Sequence, residues 1–357
     1  MIRRLFVLST ICAGALACGP LDDSAELDAE EQVEAESEAL AIDPTDPIAD
    51  DLNQGSQNKL GEVSGIVASS NYPGFIWMHR DGYAADRPSR ERLYAMKVVD
   101  RELVSFNGAS GVYPTREFTF ASSLSIENIN WEDMAIGKNA ITNSGSSLYV
   151  GDIGNNSGGR NAYKVYQIAE PNPAGASSVV GSLQATWKFR YPASAKLANG
   201  EWPNCETMFY LDRNLYIVTK ESDPRVYRFP SSFYQSPGVT HELQQVANGG
   251  TTRVVGAVSN PSFASFSADR QRFMIGSHKR FFVYEVANSS LTGDALVKSV
   301  LLTAGSPQDW DHEIADSSDY PNLNTEGGTY EATGKGLLFA TESKVVFHWP
   351  QANAEAP

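Results

Sequence analysis

Glu132, Glu206 and Glu326 stand far apart in a chain of 357 residues, yet each follows the same kind of polar opening and precedes a strand-like run. Asp133 adjoins the first of them. Asp152 and Asn155 follow in the glycine-rich run GDIGNNSGGRN (151–161). Carboxylates gathered in one place repel each other unless a cation, a basic side chain or protons intervene. Calcium suits such a set, because it takes about six to eight oxygen ligands in loose geometry. The same residues admit a second reading, in which the acids hold backbone amides at structural junctions and 151–161 is a turn built on glycine and Asx hydrogen bonds.

A second acidic stretch, SPQDWDHEIADSSDYPN (306–322), reads as a loop in which Asp309, Asp311 and Glu313 alternate to one side. It lacks the spacing and central glycine of a helix–loop–helix calcium site. His79, Arg80 and Asp81 are consecutive, so a base beside an anion clamp is one reading and a surface ion pair the other. Cys205 has no histidine near it in sequence and reads as a small buried hydrophobe. The chain contains no G-x-S-x-G, Walker A, G-x-G-x-x-G or H-E-x-x-H motif. No residue is assigned a catalytic role on these grounds, and whether the protein is an enzyme stays open at this level.

The positioning elements are strands. From residue 59 onward, short runs such as FIWMH, SLYVGDI, NLYIVTK, RFMIGSH and GLLFATE alternate or are wholly apolar, and Gly, Pro, Asn, Asp and Ser separate them. Five units share one order, opening at Ser64, Glu132, Glu206, Ala264 and Glu326, with spacings of 68, 74, 58 and 62 residues. Their second strands align as IWMHRD, LYVGDI, LYIVTKE, FMIGSH and LFATES. REFTF (116–120), ATWKFRY (185–191), HELQQV (241–246) and VKSVLL (297–302) are the expected outer fourth strands. The stretch near 59–63 is expected to complete the last unit. A repeat of this length and all-β character predicts a β-propeller of five blades, with six as the alternative. First strands line the channel of such a fold, so the acids at their starts would converge.

The runs GEVSGIVASS, WMHRDG, NINWEDMAIG and LYVGDIGNN, followed by VYQIAEP, resemble a group of exported bacterial propeller proteins of unassigned function that carry WED followed by GDIGDN. Arg80 and Asn155 depart from that pattern, where Asn and Asp are usual. The layout is more distantly similar to phytase-like and gluconolactonase-like propellers. That likeness implies acids gathered around a divalent metal.

The N-terminus sets the compartment. Arg3 and Arg4 precede an apolar stretch ending Ala15-Leu16-Ala17-Cys18, too short to span a bilayer as a mature helix. This is similar to a bacterial lipoprotein signal (1–18) that leaves Cys18 lipidated, with plain secretion as the alternative; Gly19 by the same resemblance favours the outer membrane. Residues 19–58 hold thirteen acids and no Lys or Arg, a composition that predicts a disordered tether. The chain has 28 basic and 43 acidic side chains, and the tether takes thirteen of the acids. The 59–357 domain is left with 26 basic and 30 acidic residues. That balance excludes a phosphate-tracking nucleic-acid binder. The expectation is an envelope protein, membrane-attached through lipid, whose propeller binds a small molecule or protein partner, with calcium in its funnel. The alternative is a calcium-dependent hydrolase of phosphoesters or lactones.

Overall fold

The computed structural model describes residues 62–81, 91–99, 102–104, 115–250, 252–254, 258–303, 308–313, 324–332, 336–342 and 346–350, all within one compact unit, Ile42–Pro357. Cys18, the signal segment and the acidic tether lie outside these residues.

Five antiparallel-based sheets follow one another along the chain. The first contains β1 (Val63–Ala68), β2 (Phe75–Arg80), β3 (Arg92–Val99), β4 (Glu102–Val104) and β5 (Thr115–Phe120). The second contains β6 (Trp131–Lys138), β7 (Ser146–Asp152) and β8 (Tyr163–Ala169). Next in the chain come β9 (Val179–Val180) and β10 (Ala185–Arg190); β10 is the second sheet's fourth strand, whereas β9 pairs back, parallel, onto β5. The third sheet is β11 (Cys205–Leu211), β12 (Asn214–Thr219) and β13 (Val226–Arg228), completed by β15 (Gln244–Gln245); before it, β14 (Thr240–Glu242) joins β10 in parallel. The fourth sheet is β16 (Phe263–Phe266), β17 (Arg272–Ser277), β18 (Arg280–Glu285) and β19 (Gln308–Glu313). The fifth is β20 (Thr325–Tyr330), β21 (Gly336–Thr341) and β22 (Val346–Pro350).

The inner strands neighbour one another in a closed cycle: β1 lies beside β6 and β20, β6 beside β11, β11 beside β16, and β16 beside β20. This is a propeller arrangement. Closing the ring buries edges that would otherwise pair with other chains, and β9 and β14 cover part of two outer edges. Aromatic residues fill the spaces between sheets. Trp77, Trp131 and Tyr149 are fully buried, Trp77 meets Phe118 edge-on at 5.1 Å, and Phe209 stacks on Tyr216 at 5.2 Å.

Three expectations need correction. VKSVLL is not a strand: Gly293–Leu301 forms helix α1, which buries Leu296, Val297, Val300 and Leu301 against the core that holds Phe273 and Tyr284. Those four positions fall on one helical face, so the helical period, rather than the β-propensity of Val and Leu, decides. Its place in the fourth sheet is taken by the stretch read as an acidic loop. Asp309, Asp311 and Glu313 belong to β19, which pairs with β18 in the register Asp311↔Phe282 and Glu313↔Arg280. Finally, Val63 starts the first inner strand and does not add to the last sheet; residues 59–61 of the stretch expected to do so lie outside the described residues, and the Glu62 N–H donates to the Glu342 carbonyl at 3.2 Å.

Candidate functional site: an acid ring at one end of the channel

The strand register explains why the glutamates converge. In three sheets the pairing slips by one residue where the inner strand begins, and the residue left over is Glu132, Glu206 or Glu326. In the first sheet the same irregularity falls at Ser64-Gly65. A bulge bends the strand and redirects its extra side chain, which here turns three carboxylates toward one another at the start of the channel. The fourth opening, expected at Ala264-Ser265, moves by register. Thr207 pairs with Val218 and Phe263 with Gly276, so Ser262 takes the place that Glu206 has in the third sheet. The two serines stitch the ring: Ser64 Oγ donates to the Glu132 carbonyl at 2.5 Å, and Ser262 Oγ to the Thr325 carbonyl at 3.0 Å.

The three glutamates are 4 %, 4 % and 7 % exposed, so their charges are largely removed from water. Asparagines two residues earlier hold two of them. Asn130 Nδ2 donates to Glu132 Oε1 at 2.5 Å, and Asn204 Nδ2 to Glu206 Oε1 at 3.2 Å. Asn156 Nδ2 also donates to Glu132 Oε1, at 3.3 Å. Gly154 makes room for this arrangement, because a Cβ there would sit 1.8 Å from Asn130 Nδ2 and 2.3 Å from Glu132 Oε1. Gly154→Ala is therefore expected to push Glu132 out of the ring. A higher midpoint for cation-dependent stabilisation, with little loss of stability in the absence of cation, would show it.

Two basic groups enter the ring from the ends of second strands. Lys220 Nζ forms an ion pair with Glu206 Oε2 and lies 3.1 Å from His278 Nε2. His278 Nε2 in turn lies 3.0 Å from Glu326 Oε1. One ligand atom each from Glu206, His278 and Glu326 falls within 4.8 Å of the others. Burial, and then the charges of Glu206, Asp81 and Glu326, hold the Glu132 carboxyl well above the usual carboxylate range. Burial and the Glu326 charge push Glu206 up to about 7 against the pull of Lys220. The hydrogen bond to Glu326 raises His278 despite its burial. Burial alone would lower Lys220, but the surrounding carboxylates outweigh it and keep the ammonium charged.

The other acids of the predicted set are engaged elsewhere. Asp133 accepts the backbone N–H of Met134 at 2.8 Å and of Met208 at 2.6 Å, which ties β6 to β11; burial raises its pKa well above the usual value. Asp152 Oδ1 accepts the Asn130 N–H at 2.9 Å and Arg160 Nη1 at 3.0 Å. Asn155 organises its loop, receiving the Arg160 N–H at 2.8 Å and donating to the Trp202 carbonyl at 2.9 Å. These are the junction and turn roles that the sequence allowed as the alternative. Asp309, Asp311 and Glu313 lie on β19, in the outer strand of their sheet.

His79 is not a surface residue: it is fully buried, packs edge-on to Trp131 at 5.5 Å, and burial lowers its pKa to about 4. Cys205 is a buried free thiol whose pKa burial raises, which fits the small-hydrophobe reading.

Lys220 and His278 were not picked out from the sequence. Their signal was present in the aligned second strands, LYIVTKE and FMIGSH, where the residue after the apolar run is basic in two units. The asparagines of NWE, NCE and NTE repeat two residues before each glutamate and were equally readable.

No family model matches the chain, and no curated protein matches its sequence. Among solved structures, a periplasmic gluconolactonase of Pseudomonas aeruginosa is similar at 12 % identity, over 80 % of this chain and 68 % of that one, with a TM-score of 0.38.

Proposed function

We propose that the acid ring is a divalent-cation site in an exported, lipid-anchored, five-bladed propeller, and that the ring binds a ligand or partner through that cation. The observation that carries the reading is the set of Glu206, Glu326 and His278 ligand atoms within 4.8 Å, with Glu132 on the same ring. Calcium fits the three carboxylates. His278 makes manganese and zinc the informative comparisons, since imidazole suits those ions better. Lys220 serves as the resident counter-cation, and uptake of a metal ion displaces it from Glu206.

Thermal unfolding of the purified protein, with calcium, manganese or zinc titrated against a chelator, tests this. A cation at about 100 times its Kd stabilises by roughly 2.7 kcal/mol, which raises the melting temperature by at least a few degrees in a domain of this size. Glu206→Gln and Glu326→Gln are expected to abolish the shift. A shift that persists undiminished in both variants places the cation elsewhere. Uptake is also expected to tighten as pH rises from 6 to 8, by up to about tenfold per unit for one displaced proton, because Glu206 near 7 must lose its proton first. Equal affinities at the two pH values contradict that.

A second reading has one specific observation behind it: a carboxylate near 7 beside a cation site is suited to proton transfer at neutral pH. The protein would then be a metal-dependent hydrolase of phosphoesters or lactones, in which the metal polarises the substrate. A panel of such substrates decides. Turnover lost in Glu206→Gln but retained in Lys188→Gln, at an exposed position of β10, supports the enzyme, whereas no turnover on any of them leaves binding as the function.

A further inference from the structure

Behind the ring, amide side chains from two sheets form one continuous bridge. Asn204 precedes β11 of the third sheet, and its Nδ2 donates both to Glu206 Oε1 at 3.2 Å and to Asn156 Oδ1 at 2.8 Å. Its own Oδ1 accepts the Asn155 N–H at 2.5 Å, so both ends of the amide are engaged. Asn156, in the loop that follows β7 of the second sheet, donates in turn to Glu132 Oε1 at 3.3 Å. Glu132 and Glu206 are joined in this way across the junction of their sheets.

The loop that carries Asn156 is itself anchored. Asn155 Nδ2 donates to the Trp202 carbonyl at 2.9 Å, and Arg160 Nη1 donates to the Gly154 carbonyl at 2.8 Å and to Asp152 Oδ1 at 3.0 Å. The third asparagine of the repeat is used differently: Asn324 Nδ2 donates to Glu342 Oε2 at 2.9 Å, and Glu326 is met by His278 instead. The bridge therefore belongs to the Glu132–Glu206 side. It takes Oε1 of each carboxylate and leaves Glu206 Oε2 to face Lys220. A hydrogen bond that fixes one carboxylate oxygen sets where the other points, and linked hydrogen bonds reinforce one another. The direction of a cation ligand in the third sheet is then set partly by a loop of the second.

We propose that Asn204 and Asn156 are positioning residues that make cation uptake at Glu206, His278 and Glu326 depend on the 151–161 loop of the neighbouring sheet. The inference rests on the cation reading of the ring. Asn156 is the sharper probe, because it is exposed and its side chain bonds to Glu132 and Asn204, not to any of those three ligands. A purely local site would not respond to its loss.

The test is manganese binding to the purified full-length protein at pH 8, followed by electron paramagnetic resonance. Partners that orient metal ligands typically contribute about 10–100-fold in affinity, so Asn204→Ala is expected to weaken uptake about tenfold and Asn156→Ala, one bond further away, about fivefold. The double variant should be no more than about twofold weaker than Asn204→Ala alone, since both changes break one bridge. The spectrum of bound manganese should change in Asn156→Ala, because Glu206 has turned, while the cation-free unfolding midpoint stays at the parent value. Asn172→Ala, which removes an exposed turn asparagine that holds the Ala174 N–H at 3.0 Å, is the control and should match the parent throughout. Parent-like affinity in Asn156→Ala, or losses that multiply in the double variant, would overturn the coupling and leave the cation site standing. An Asn156→Ala variant with the parent spectrum and a lowered cation-free midpoint would reduce the residue to a structural part. No manganese uptake by the parent would remove the cation reading, and this proposal with it.

Discussion

Replacing Lys220 with methionine is expected to destabilise the cation-free protein by about 2–3 kcal/mol at pH 8. Removing one partner of a buried pair leaves uncompensated charge, which costs about 3–5 kcal/mol when burial is complete. The Lys220 side chain is 20 % exposed, so the expected cost lies at or somewhat below the bottom of that range. The loss has a definite pH dependence. Without the ammonium, Glu132 and Glu206 have folded-state pKa values raised further above their unfolded values. A carboxyl shifted in that direction favours the folded state below its unfolded pKa and loses that contribution as pH rises through the folded value. The variant should therefore come close to the parent in stability near pH 5.5 and fall away above 7. Urea unfolding at the two pH values measures this directly. A saturating divalent cation should restore most of the loss at pH 8, since it replaces the missing positive charge. A variant equally stable at both pH values, or insensitive to cation, would mean that Lys220 does not neutralise the ring.

Gly65→Ala is expected to be more damaging, at about 3 kcal/mol. Gly65 lies at the bulge of β1, where the first and second inner strands come into contact. A Cβ there would lie 2.5 Å from His79 Nε2, 2.8 Å from the Met134 backbone nitrogen and 3.0 Å from the Asp133 carbonyl carbon. Backbone cannot rotate away as a side-chain tip can, so the two sheets must separate, and overpacking of this kind typically costs about 1–3 kcal/mol, occasionally more. The shift also reaches the site, since Asp133 ties β6 to β11 and Glu132 precedes it. Gly159→Ala is the control, with no atom within 4 Å of the added carbon, and is expected to change stability by no more than about 0.5 kcal/mol. Denaturant midpoints with unchanged m-values would report both effects. Equal midpoints for the two variants would refute the close-approach account.

The all-β class and the repeat were legible because the inner and second strands bury most of their residues, and their apolar runs stand out between turn residues. The convergence of Glu132, Glu206 and Glu326 was legible for the same reason: each sits at the same phase of its unit. The bulges were not. A slip of one residue is a property of two strands together, and neither strand carries it alone. Lys220 and His278 meet the glutamates only because adjacent sheets bring different second strands to one ring. Helix α1 was misread because Val297, Val300 and Leu301 look strand-like when taken apart from Leu296, which completes the helical face. The pairings of β9 with β5 and of β14 with β10 depend on chain returning from the following unit, a distance that no local pattern encodes.

The most direct test of the central claim is a count of cations bound per chain by equilibrium dialysis at pH 8, with the parent and Glu206→Gln measured side by side. One calcium or manganese ion per parent chain and none in the variant is the predicted result. No bound ion in the parent at millimolar concentration would contradict the account, and would leave Lys220 and His278 as permanent counter-charges of a purely structural ring.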